Sequence, residues 1–458
     1  MAEPSAVTPQ KTEQSWIRQN FSFPLWQKVV SYTLGLQYER VLRMKNITRA
    51  VCKDLLDFVR WIIIACITGV VVGAVGVAFV KGLGFVTGLR ASHPYMILGL
   101  PIAGIAIVAL YKICNYENDK GTNLVISTIH AETEIPLRMA PLIFISTLLT
   151  HMFGGSAGRE GAALQLGGSI GNQLGRWFKL DENDTREIVM CGMSAAFSAI
   201  FGTPMAAVIF AMEVNSVGIM QYSALVPCVF ASLSASLFAN HFGVHAEAFG
   251  AVEMVKFGLA PAGKILILGA LCALLSVAFC QLLHTSHHLF AKYLKNTYLR
   301  IAVSGLMIIG LTMILGTSAY SGSGANIIEE AIAGHSAPEA FLWKMIFTAI
   351  TLGAGFKGGE IVPSFTIGAA FGCLFGSLFG LSPSLCAAVA MVSMFCGVTN
   401  SPIASIIIGF ELFGFDMMKY LLIGVSVSYM LSGYYSLYHE QRIVYSKFKT
   451  KYVNQKTK

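Results

Sequence analysis

Two glutamates in this chain stand where a charge is expensive, and both are framed by glycines. The run Gly154-Gly-Ser-Ala-Gly-Arg-Glu-Gly-Ala162 puts Arg159 and Glu160 inside an otherwise apolar region. There an ionised side chain costs several kcal/mol unless it is paired or wetted. Gly158 and Gly161 let the backbone come close to a ligand, and the apolar run from Ala162 onward predicts that a helix begins there. Free N–H groups and a positive dipole end would then face an anion. A carboxylate at that helix start can occupy an anion site when ionised and leave it when protonated, which makes Glu160 a candidate gate and proton carrier. The alternative is a buried Arg159–Glu160 ion pair with a structural role.

Gly358-Gly359-Glu360-Ile361-Val-Pro363 repeats the design: paired glycines, a carboxyl group at membrane depth, then a proline suited to the first turn of a helix. The competing reading is a loop glutamate facing water. Gly121-Thr122-Asn123 supplies a hydroxyl and an amide that can donate to a small anion, although helix capping explains such residues as readily. Glu213 and Glu411 each end an apolar run at a membrane edge, which suits capping or an interfacial position better than catalysis. His130 and His151 have no partner at useful spacing and read as structural. Gly258-Leu-Ala-Pro-Ala-Gly-Lys264 imitates a phosphate loop until Ile265 stands where Ser or Thr is required.

The elements that position these residues must be helices in lipid. The 458 residues are 55% hydrophobic and 12% charged, too few charges to clothe a soluble domain of this size. Trp61–Val80 and Ile265–Leu283 are each near the ~20 residues of a spanning helix. Other apolar segments, such as Pro141–Thr150, Ala195–Phe201 and Leu385–Phe395, are shorter and interrupted by Gly or Pro, so broken, half-membrane helices are expected.

The chain also resembles itself. Pro204-Met-Ala-Ala-Val-Ile-Phe-Ala-Met-Glu213 matches Pro402-Ile-Ala-Ser-Ile-Ile-Ile-Gly-Phe-Glu411 at an offset of 198. Gly158-Arg-Glu-Gly-Ala162, with Gly167 and Gly171 behind it, matches Gly359-Glu-Ile-Val-Pro363 with Gly368 and Gly372 at an offset of 201. Duplicated halves with interrupted segments at matching places point to a transport site at the repeat interface. The expected organisation is an all-α polytopic membrane protein of two inverted-topology repeats. Residues 1–57 form an amphipathic cytoplasmic segment, 58–260 and 261–438 the two transmembrane repeats, and 439–458 a short basic tail.

Lys11, Arg18 and Lys28 at one end, and Lys447, Lys451 and Lys458 at the other, place both termini on the cytoplasmic side of the plasma membrane by the positive-inside rule, with an even number of crossings. The formal charge of +8 lies at these flanks and lacks an aromatic-basic recognition pattern, which argues against nucleic acid. The ten cysteines are scattered, without metal-ligand spacing, and nothing calls for a cofactor. An intramembrane enzyme using Glu160 and Glu360 as an acid–base pair is a remote alternative that lacks a nucleophile and a metal pattern.

Taken in order, Gly121-Thr-Asn-Leu-Val, Gly158-Arg-Glu-Gly-Ala, Phe201-Gly-Thr-Pro-Met-Ala and Gly359-Glu-Ile-Val-Pro resemble the motifs of the CLC anion channels and transporters across about residues 58–440. The resemblance implies that Glu160 is the external gating glutamate. Asn123 and Glu360 depart from the chloride branch and are similar to the fluoride-selective one. Val214 stands where chloride/proton exchangers of the family place a second glutamate, an absence that also resembles the fluoride branch. By the same resemblance Tyr438, rather than Tyr445, is the late pore tyrosine. Thr122, Asn123, Gly158, Arg159, Gly161, Gly359, Glu360, Ile361 and Tyr438 would then surround the anion. The resemblance further implies fluoride/proton antiport, with a chloride-preferring transporter or channel as the alternative, and a homodimer with one pathway per subunit.

Overall fold

A computed structural model describes residues 25–117, 119–130, 134–247 and 249–458. Lys11 and Arg18 lie outside the described residues. The chain divides into two units, Met1–Trp61 and Ile62–Lys458. In the first, residues 25–61 are helical, and every described side chain from 32 to 60 is exposed. The second unit carries the remaining elements.

Sixteen α-helices are described, in two series of eight. The first comprises α1 (Leu25–Ser92), α2 (Leu100–Ile113), α3 (Thr122–Ile129), α4 (Met139–Met152), α5 (Glu160–Trp177), α6 (Glu182–Phe201), α7 (Pro204–Glu213) and α8 (Leu225–His241). The second comprises α9 (Leu259–Tyr293), α10 (Thr297–Leu315), α11 (Ala325–Ile332), α12 (Ala340–Ala354), α13 (Ile361–Phe379), α14 (Pro383–Thr399), α15 (Pro402–Phe413) and α16 (Met418–Leu431). The series correspond element by element: α3 and α11 are both eight residues long, and α7 and α15 have 10 and 12. At ~1.5 Å per residue such helices reach about halfway across a ~30 Å hydrocarbon layer. Among the described residues, six helical stretches are long and apolar enough to cross a membrane. One expected short segment is longer: Ala195–Phe201 is the end of the 20-residue α6, whose polar first turns hid its start.

Local chemistry sets the ends of these helices. Pro204 and Pro402 occupy first-turn positions in α7 and α15, where a missing N–H costs nothing. Asp181 caps α6 by accepting from Asp184 N at 2.8 Å, and Asn296 caps α10 by accepting from Tyr298 N at 2.9 Å. Lys264, from the discarded phosphate-loop imitation, lies in α9 and donates to Phe379 O and Gly380 O at the end of α13.

The repeated glycines set the packing. A Cβ on Gly171 would lie 2.5 Å from Ile188 O, and one on Gly368 would lie 2.6 Å from Ala390 O. Backbones of α5 and α6, and of α13 and α14, therefore meet at distances only glycine permits. The largest core cluster of buried residues draws on both halves, with Phe197, Phe201, Phe210, Phe365 and Phe395 in mutual ring contact.

The segment expected as a tail folds back onto the molecule. Strand β2 (Arg442–Tyr445) pairs in parallel with β1 (Ser216–Val217) and antiparallel with β3 (Tyr452–Lys456). Gln441 is fully buried, and its amide donates to Val214 O at 2.8 Å and Thr399 O at 2.7 Å. Basic composition concealed this structure, because its pairing partner lies more than two hundred residues upstream.

Candidate functional site

The two glycine motifs meet. Gly158 N donates to Gly359 O, and Gly359 N to Gly158 O, each at 2.7 Å, in an isolated antiparallel bridge. A Cβ on Gly359 would stand 3.0 Å from Gly161 Cα, so glycines are needed for the chains to approach this closely. The bridge joins residues that match each other in the two halves, so the site lies at the repeat interface.

Helices α5 and α13 start at this bridge. Their first-turn backbone bonds run from Ala163 N to Arg159 O at 2.9 Å and from Ser364 N to Glu360 O at 3.1 Å. The N–H groups of Gly161 and Ile361 are thus among those a helix leaves without an internal partner at its start. Two positive helix ends, contributed by opposite halves, converge on one place. Loop residues brace them: Ser156 N donates to Thr351 Oγ1 at 3.1 Å, and Ala157 N to Gly322 O at 3.2 Å.

Glu160 begins α5, fully buried, with its carboxylate turned back on its own helix start. Oε2 accepts from Arg159 N at 3.1 Å, and Oε1 lies 3.3 Å from Arg159 Nε. The buried ion pair weighed as an alternative is therefore present, but it is not exclusive, because Arg159 also pairs with Glu247. The guanidinium is thus shared between two carboxylates.

Glu360 precedes α13 from the opposite half. Its Oε2 is buried without a hydrogen-bond partner and lies 3.1 Å from where a Cβ on Gly161 would stand. Gln165 Oε1 and the Tyr438 hydroxyl are likewise buried and unpartnered. Tyr438 lies within electrostatic reach of Glu360 and Glu160. These three polar atoms are available to a polar ligand. Tyr445, in contrast, sits on β2 with 44% of its surface exposed.

A cavity of about 460 Å³ reaches Glu360 and is lined by Asn123, Gln165 and Lys357 among others. Asn123 Oδ1 accepts from Glu440 N at 3.1 Å, which leaves its Nδ2 as the end not used in that bond. Thr122 faces the other way: its hydroxyl donates to Gly161 O at 3.4 Å and accepts from Gln165 Nε2 at 3.3 Å. Lys357 pairs with Asp119 at 2.7 Å, and Asp119 Oδ1 accepts from Gly121 N at 2.9 Å. That chain of contacts ties the start of α3 to the loop before α13.

Residues 102–433 match the voltage gated chloride channel family. A "Chloride/fluoride channel protein" of Pseudomonas syringae pv. tomato is 35% identical over 413 residues, which cover 88% of this chain and 91% of the relative. The chain belongs to that family, the CLC family. Among solved structures, a CLC-type fluoride/proton antiporter matches with a TM-score of 0.81 and 35% identity, over 84% of this chain and 98% of that one. A slow cyanobacterial Cl-/H+ antiporter matches at 0.71 over 81% and 94% of the two chains; its 20% identity speaks for the fold alone. This CLC chain is accordingly an all-α membrane protein of an ion-transport family, not of an enzyme family.

Sequence reasoning missed Gln165, Glu247, Asp119 and Lys357. Lys357 had a signal, a charge directly before Gly358. Glu247 and Asp119 had none, because each lies in a polar connection and meets its partner only across the fold. His130 and His151 bond to backbone oxygens, of Asn215 at 3.1 Å and Thr147 at 3.0 Å. Among the described residues, no group of three His, Cys, Asp or Glu is placed to hold a metal ion.

Proposed function

We propose that this CLC protein is a fluoride/proton antiporter that exports fluoride, with Glu160 as gate and proton carrier. The observation that carries the reading is the pair of carboxylates flanking the Gly158–Gly359 bridge, one ion-paired and one with its Oε2 left without a hydrogen-bond partner. Fluoride is small and strongly hydrated, and only strong donors offset its desolvation. Protonated Glu360, the Tyr438 hydroxyl, the Asn123 amide and the N–H groups of Gly161 and Ile361 would supply them. Gly158, Arg159 and Gly359 shape the approach, and Thr122 positions Gln165. The names of the 35% identical relative and structure, which include fluoride, support the choice of anion.

Ionised Glu160 occupies the anion position. Protonation weakens its hold on Arg159, the guanidinium stays with Glu247, and fluoride takes the vacated place. Return of the carboxylate expels the anion and releases the proton. The assembly proposed is a homodimer with one pathway per subunit in the plasma membrane, both termini in the cytoplasm, in keeping with the basic flanks.

The test uses purified protein in liposomes loaded with fluoride or chloride, followed with an anion electrode and a pH dye. A fluoride gradient should drive protons uphill, and a chloride gradient should drive far fewer. Proton movement with chloride alone would reassign the protein to chloride, and none with either anion would remove the antiport reading.

A further inference from the structure

The cavity that reaches Glu360 has a second chemical feature, a cluster of imidazoles at its mouth. His284 and His287 project from the last turns of α9, and His439 follows Tyr438 in the chain. All three line the cavity. The rings of His284 and His439 stack with centroids 3.8 Å apart and planes 33° apart.

We infer that this histidine cluster is the proton port on the cavity side, passing protons between solvent and Glu360. The inference rests on the proton-coupled reading above. The cavity offers protons a way to the bridge, and it joins Glu360, whose Oε2 has no hydrogen-bond partner, to the imidazoles. Imidazole is also the side chain whose proton exchanges readily near neutral pH. Two rings at this distance repel when both are charged, so the pair carries one proton more readily than two.

The neighbouring charges belong to five elements. From the α2–α3 connection come Asp119 and Lys120, and from the loop before α13 come Lys357 and Glu360. The C-terminal segment contributes Glu440, which pairs with Lys456 and lies 3.9 Å from Lys120 Nζ. Beside His287 stand His288 of α9 and Arg300 of α10. Asp119 and Lys357 neutralise each other, and Glu440 is held by lysines, so the histidines and Glu360 are the groups left to exchange protons. In each step an imidazolium N–H gives its proton to a cavity water, which protonates the Glu360 carboxylate. The neutral imidazole then regains a proton from solvent. Reversal of the same transfers releases protons.

The experiment compares wild type, H284A/H439A and the conservative H439Q in liposomes under a fluoride gradient, reading fluoride and proton fluxes separately at pH 6 and pH 8 on the cavity side. Proton flux should fall at least tenfold in the double variant and less in H439Q. The loss should be greater at pH 8, and added imidazole buffer should restore it, as a merely structural defect would not allow. Should the double variant fail to fold, H439Q carries the test through its pH dependence and imidazole rescue. Wild-type proton flux and pH dependence in the variants, or a loss that imidazole does not restore, would overturn the port while leaving fluoride/proton antiport intact. Absence of proton flux in wild type would instead defeat the antiport reading itself.

Discussion

Glu213 and Glu411 make the sharpest stability prediction, because each caps a helix of the other repeat. Glu213, at the end of α7, accepts from Ile403 N at 3.1 Å and Ala404 N at 2.8 Å in the first turn of α15. Glu411, in α15, accepts from Met205 N at 2.9 Å and Ala206 N at 2.8 Å in the first turn of α7. Neither Thr203 nor Ser401 caps its own helix with its side chain, so the glutamates do that work across the repeat interface. Glu213 is 8% exposed, so its removal strands one buried donor, Ala404 N, and one part-buried donor, Ile403 N. At ~1.5 kcal/mol for each bond to a charged acceptor, Glu213→Ala should cost about 3 kcal/mol. Glu411 is less buried, water can reach its donors, and Glu411→Ala should cost about half as much, ~1.5 kcal/mol. With an unfolding entropy of ~2.1 cal/mol/K per residue, the first loss lowers the melting temperature by about 3 °C. Thermal unfolding of the purified protein in detergent, followed by tryptophan fluorescence, measures it. The reasoning fails if Glu213→Ala melts within about 1 °C of wild type, or if Glu411→Ala is the more damaging change.

Three further outcomes concern transport, all read in fluoride-loaded liposomes. Glu160→Gln, which mimics the protonated carboxyl, should abolish proton-coupled exchange, leaving either blocked or uncoupled fluoride flux; wild-type coupling would refute the gate. Glu360→Gln should reduce fluoride flux and selectivity over chloride by at least about tenfold, equivalent to ~1.4 kcal/mol, because it substitutes an amide for a carboxylic acid donor; unchanged selectivity would remove Glu360 from the site. Gly359→Ala places a methyl group against Gly161 and should break the paired 2.7 Å bonds to Gly158, stopping transport while the protein still folds; retained flux would show that the bridge is not required.

The sequence alone determined the solvent, the duplication and the two carboxylates. Low charge and long apolar runs require lipid, the Pro-to-Glu and Gly-Glu repeats announce two halves, and a glutamate among glycines at membrane depth is costly wherever the chain puts it. Those readings depend on composition and short spacing, which survive without coordinates. By resemblance they also proposed Asn123 and Tyr438 for the site.

Only the tertiary structure decided which groups face one another. Nothing local says that Gly158 will exchange hydrogen bonds with Gly359, that Glu213 caps α15 instead of closing its own helix, or that Arg159 is divided between Glu160 and Glu247. It also turned a presumed tail into a strand paired with Ser216–Val217, and it brought His439 against His284. Each of these contacts joins residues far apart in the chain. Their partners are chosen by the packing of two helical halves, so the information is carried by the whole fold and not by any one segment.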